Sequence, residues 1–125
     1  MNHPEFELQK QICSYLEWQY PDVVFLSDTI ANVKLTKAQA SRNKQIQKRE
    51  FKTPDLLILE PRNGFAGLFI ELKIESPFKL NGELKAGDHL KGQSISISKL
   101  KAKGYSALFS WKFEMTKKII DDYLN

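Results

Sequence analysis

Two runs, "PDLLILE" (54–60) and "GLFIELK" (67–73), constrain the fold more than any other part of the chain. Each has the length of a strand and is apolar at nearly every position, not at every second one. A strand that shows one face to water alternates, whereas a strand without a polar face is covered on both sides. The expected fold is therefore α/β, a sheet with helices on both faces. Into this oily region the chain inserts three charges. Asp55 heads the first run, and Glu71 and Lys73 close the second.

The remaining elements follow from periodicity and breakers. Residues 4–20 read as a helix with Pro4 in its first turn. Tyr20-Pro21-Asp22 ends it, and "VVFL" follows as a short strand. Residues 27–53 are polar, and "KAQASRNKQIQKRE" fits either a helix or a mobile arm. Pro61, Asn63 and Gly64 separate the two apolar runs. Residues 74–88 read as a loop marked by Pro77, Gly82 and Gly87. A helix from about Asp88 to Lys103 stops at Gly104, although "SISIS" inside it has a local strand pattern. "YSALFSW" reads as a fourth strand and "EMTKKIIDDYL" as a closing helix. With no repeat, low-complexity tract or linker, residues 1–125 read as a single domain.

The charge is unevenly placed. Of a net +4, the stretch 27–53 carries +5, from Lys34, Lys37, Arg42, Lys44, Lys48, Arg49 and Lys52 against Asp28 and Glu50, and the rest carries −1. Such a basic insertion suits a polyanion, or stands as a solvated loop. No apolar run approaches the ~20 residues of a membrane span. The polar, acidic start "MNHPEFELQKQ" does not read as a secretory signal. One cysteine, Cys13, excludes an intrachain disulfide and a cysteine-based zinc cage. These features predict a cytoplasmic protein without a membrane partner.

Charges inside a doubly covered sheet are costly unless they are paired or bind a metal. Lys73 could neutralise Glu71 or Asp55 as a structural ion pair. That leaves one carboxylate over. Two carboxylates beside one lysine suit a hard divalent cation with oxygen ligands, the lysine holding a water or a phosphate oxygen.

Pro54-Asp55 followed by Glu71-Leu72-Lys73 resembles the PD-(D/E)XK pattern of metal-dependent nucleases. The order helix, three-strand meander, helix, strand resembles that superfamily's restriction-endonuclease-like core, with a mixed four-stranded sheet. Together with "ELQKQICSYL", "HLKGQ" and "GYSALFSW…IIDDYL", the chain is similar over nearly its whole length to a compact VRR-NUC domain of the phage and bacterial kind. It departs from that pattern at Phe51-Lys52-Thr53, where a glycine is more usual before Pro-Asp. The resemblance implies that Asp55, Glu71 and the Leu72 backbone carbonyl bind Mg2+ or Mn2+, and that Lys73 positions the attacking water. It also places Gln93 beside the site, where the residues alone allow an ordinary helix-surface amide. His89, one turn earlier on the same face, stands either at a phosphate or in solvent.

On the first helix, Leu8, Ile12 and Leu16 centre one face, and Glu5 and Gln9 fall within that apolar arc. The family uses an acid on this helix near the metal, which makes Glu5 a candidate ligand and catalytic residue, with Gln9 its neighbour. Alternatively, Glu5 in the first turn only favours the helix dipole.

The site also makes a demand on the sheet. Glu71 and Lys73 share a face because strand faces alternate. A tight two-residue hairpin at Asn63-Gly64 would set Asp55 opposite Leu72, on the wrong face. A metal site therefore requires an odd-numbered loop or a bulge between the two strands.

The function expected is a Mg2+- or Mn2+-dependent DNA endonuclease that hydrolyses phosphodiester bonds of branched or flapped DNA, such as a four-way junction. It would act as a homodimer, with the basic insertion on backbone phosphates. The alternatives are a DNA-binding module that keeps the fold and cuts nothing, and a small basic domain with an ion-paired core.

Overall fold

The computed structural model describes residues 3–27 and 34–125. Helix α1 spans Pro4–Gln19, strand β1 Phe25–Ser27, helix α2 Lys37–Ile46, strand β2 Leu56–Ile58 and strand β3 Leu68–Lys73. Helix α3 spans Asp88–Ala102, strand β4 Ser106–Trp111 and helix α4 Phe113–Leu124. The four strands form one mixed sheet in the order β1-β2-β3-β4, antiparallel except for the parallel pair β3–β4.

Helices cover both faces, as the unbroken apolar runs require. Leu56, Ile58, Leu68, Ile70 and Leu72 point to one side, where Leu8, Ile12 and Leu16 of α1 and Ile120, Tyr123 and Leu124 of α4 meet them. Leu57, Phe69, Ala107 and Phe109 point to the other, against Ile97 and Leu100 of α3. Period-two alternation thus divides "GLFIELK" between two cores. It puts Glu71 and Lys73 on the α3 side.

"SISIS" is helical, with Ser96 and Ile97 buried and Ile95 exposed. A helical pattern that starts at Asp88 and stops at Gly104 overrides a local alternation of five residues. Within the basic insertion, residues 28–33 lie outside the described residues, and 37–46 form α2. This helix opens on a capping box between Thr36 and Gln39 and buries none of its residues. The 74–88 loop is braced by an antiparallel bridge between Phe78 and Leu84. Away from the sheet, Asp121 ties α4 to α1 by accepting hydrogen bonds from Tyr15 Oη and Tyr20 Oη, both at 2.6 Å. Among the described residues, no helix is long and apolar enough to cross a membrane.

The β2–β3 connection contains both a tight turn and a bulge. Arg62 and Phe65 exchange backbone hydrogen bonds of 3.1 and 2.8 Å around Asn63 and Gly64, whose φ values are 54° and 83°. Positive φ at both central residues is the mark of a type I′ hairpin. Beyond it, residues 59–61 stand against residues 66 and 67 before Ile58 pairs with Leu68. The extra residue lies within 59–61, where Pro61, having no N–H, suits a break in the ladder. A β-carbon on Gly67 would stand 3.0 Å from the Ile58 carbonyl, so this glycine permits the close approach of the two chains. The register beyond the bulge is Leu56 to Ile70, and the next rung sets Asp55 opposite Glu71.

Candidate metal and nuclease site

Asp55 and Glu71 lie on the α3 face of the sheet at the ends of adjacent strands. Asp55 is fixed from two directions. Its Oδ2 accepts from the Leu72 N–H at 2.8 Å, and its carbonyl accepts from Gln9 Nε2 at 3.3 Å. Gln9 Nε2 also donates to Ser27 Oγ at 2.6 Å, joining α1, β1 and the head of β2. The inward-facing polar residue of α1 is therefore Gln9, which is buried; Glu5 is exposed at the helix start and lines the cleft.

Pro54 has a distinct part. In the same register it stands opposite Leu72. With no N–H, it gives the Leu72 carbonyl no ladder donor. The Leu72 N–H, in turn, goes to the Asp55 side chain instead of to a backbone partner. Pro-Asp at this position thus frees one carbonyl and anchors one carboxylate.

Glu71 is 5% exposed. Burial first, then a hydrogen bond and the charge of Asp55, push its carboxyl up to about 10, while Lys73 pulls the other way. Without a cation, this environment favours the protonated form of the Glu71 carboxyl. Among the described residues, the ion pairs are Arg62–Glu60, Lys79–Glu83, Lys85–Glu75, Lys117–Asp121 and Lys118–Asp122. None involves Lys73, so the lysine is not the ion-pair partner of either acid.

A cleft of about 600 Å3 opens over this pair, with Glu5, Asp55, Glu71, Lys73, His89 and Gln93 in its wall. A neighbouring cleft of about 640 Å3 shares Glu5 and Lys73. Gln93 is 6% exposed, so it is not a helix-surface amide, and its Oε1 is buried with no hydrogen-bond partner among the described residues. His89 is exposed, 3.2 Å from the Gln93 amide through Nε2 and 2.9 Å from Lys52 Nζ through Nδ1. Burial, then the charges of Lys52 and Lys73, hold the His89 imidazole below its ordinary range.

The donor set fits a hard divalent cation. It offers two adjacent carboxylates and a backbone carbonyl, all oxygen. Among the described residues, no three His, Cys, Asp or Glu side chains form a ligand cluster. Asp55 and Glu71 are a pair, and Glu5 stands at the cleft without joining them as a third acid. Lys34, Lys37, Arg42, Lys44, Lys48, Arg49 and Lys52 are all exposed, and none is in an ion pair among the described residues. The cleft wall also holds Ser27, Asn43 and Gln47, which the sequence did not single out. Asn43 lies on α2 and Gln47 caps its C-terminal end; this helix has no apolar stripe to announce which side faces inward.

A solved structure described as a VRR_NUC domain protein superposes on 99% of this chain and 90% of its own, with a TM-score of 0.63 and 20% identity. The chain has the VRR_NUC fold. At that identity the likeness is one of fold. No protein-family model and no curated protein matches the chain. Within the VRR_NUC fold, the mixed four-stranded sheet and the helices on both of its faces stand as the sequence resemblance implied.

Proposed function

We propose that this chain is a Mg2+- or Mn2+-dependent DNA endonuclease that selects branched or flapped DNA. The observation that carries the reading is the pairing of Asp55 with Glu71 beside an ammonium, Lys73, that is in no ion pair among the described residues. Asp55, Glu71 and the Leu72 carbonyl would hold the cation. Once bound, it would polarise the phosphate and lower the pKa of a coordinated water.

The chain's own groups supply the rest. Lys73 lies on the same face as Glu71 and is half-buried at the cleft, and there it would orient the attacking water. The deep burial of Glu71 excludes bulk water from one side of the site, which strengthens the electrostatics there. α2 lines the cleft with Asn43 and, at its C-cap, Gln47, while Lys37, Arg42 and Lys44 on the same helix would contact backbone phosphates. Phosphate contacts of this kind give affinity without reading sequence, so discrimination rests on DNA shape.

The test is cleavage of end-labelled linear, flapped and four-way DNA by the purified chain with magnesium, manganese or EDTA. Metal-dependent cutting that favours the branched substrates supports the reading. Tight binding with no cutting under either metal assigns the chain to the class of DNA-binding modules instead.

A further inference from the structure

The Lys52 side chain lies across α3 at Gly92. A β-carbon on Gly92 would stand 2.7 Å from Lys52 Cε and 3.2 Å from Cδ, too close for packed carbons. Glycine inside a helix is destabilising relative to alanine, and the seat it makes for this lysine gives it a local reason. The same stretch is fastened to α3 twice more. The Lys52 N–H donates to the buried Ser96 Oγ at 2.7 Å, and Lys99 Nζ donates to the Glu50 carbonyl at 3.2 Å. At the end of the seat, Lys52 Nζ meets His89 Nδ1 at 2.9 Å.

An ammonium only donates. His89 Nδ1 therefore accepts, and a neutral imidazole that accepts at Nδ1 carries its proton on Nε2. The lowered pKa of His89 agrees with a neutral ring. The Gln93 amide lies 3.2 Å from Nε2. A donor at Nε2 calls for the amide oxygen there, and the two ends of a side-chain amide exchange by a half-turn. That half-turn puts the amide nitrogen, a donor with no partner among the described residues, where the unpartnered acceptor stood.

We propose that Lys52 is a positioning residue: seated at Gly92, it fixes the His89 proton on Nε2, and His89 holds the Gln93 oxygen so that the Gln93 nitrogen serves the cleft as a donor. The chemistry such a donor recognises is a phosphate oxygen or a water, not a cation, so Gln93 is not a metal ligand. The identity of that ligand rests on the nuclease reading; the arrangement of the three side chains does not. Through Lys52, the end of the basic segment and the cleft are mechanically joined.

The ring can be read directly. In the full chain labelled with nitrogen-15 histidine, His3→Gln leaves His89 as the one ring signal. Two-bond proton–nitrogen spectra at neutral pH should show the Nε2–H tautomer, kept in Lys52→Arg and replaced by a mixture in Lys52→Met and in Gly92→Ala. A proton on Nδ1 in the unsubstituted ring, or a tautomer indifferent to Lys52→Met, overturns the proposal. Where the chain cuts DNA, Lys52→Met should lower kcat about tenfold or more, with recovery in Lys52→Arg. A weaker Kd for DNA with kcat intact would make Lys52 a phosphate contact only and overturn its positioning role. A chain that cuts nothing would sink the nuclease reading, and the tautomer spectra would then decide this proposal alone.

Discussion

Asp55 stands opposite Glu71, one rung beyond the Leu56–Ile70 pair and one position away from where the Asn63-Gly64 hairpin alone would put it. The extra residue within 59–61 makes the difference. Because side chains alternate across a sheet, a shift of one residue would send Asp55 to the α1–α4 face. Deleting Pro61 removes the bulge and leaves Asp55 opposite Glu71. Inserting an alanine after Pro61, with the turn and a one-residue bulge kept, instead sets Asp55 opposite Leu72, and should therefore abolish any stabilisation by magnesium and lower cleavage on the order of a hundredfold or more. Thermal melts with and without magnesium check it. An insertion variant that keeps both would show that the residue count between turn and strand does not set the site.

The buried pair makes metal-free stability depend on pH in an unusual direction. Glu71 is raised from an ordinary 4.5 to about 10, so between these values the folded chain holds a proton that the unfolded chain has lost. Stability should fall as pH rises through that window. Glu71→Gln keeps the shape and removes the charge. It should flatten the pH profile and, without metal, raise stability at neutral pH by roughly 1–3 kcal/mol. Denaturant unfolding in EDTA across pH measures this. Superimposable profiles for the two proteins would contradict it.

Gln9 works from behind the site. Its amide donates to Ser27 Oγ and to the Asp55 carbonyl from a buried position on α1. Gln9→Leu should cost about 1–2 kcal/mol, because a half-buried carbonyl and a half-buried hydroxyl lose their donor. Urea unfolding reads the loss, and a change within experimental error would show that these bonds do not hold Asp55.

Much of the fold was legible because burial wrote it into the sequence. The unbroken apolar runs announced a sheet covered on both sides, and Gly104 marked the stop between α3 and β4. The register was legible only as a demand. Asn63-Gly64 specified the tight turn correctly, but nothing in the residues placed the compensating bulge, since Glu60-Pro61 reads equally well as ordinary loop. On α1 the arc admitted both Glu5 and Gln9, and burial separated them. A neutral amide can be enclosed once its donors are used, whereas a glutamate in the first turn stays in water. α2 was illegible because its residues bury nothing, so no periodicity survives to mark a face. Gly92 was a signal left unread: a glycine in mid-helix points to something passing close.

The most direct test of the account compares the chain with Lys73→Ala and Asp55→Asn in single-turnover cleavage of labelled flapped and four-way DNA, with magnesium and with EDTA. The account predicts metal-dependent cutting by the unsubstituted chain and a loss of on the order of a hundredfold or more in each variant, with DNA binding retained. Equal cutting by all three would betray a contaminating nuclease, and no cutting by any, despite tight binding, would return Asp55 and Glu71 to structural charges; either result contradicts the account.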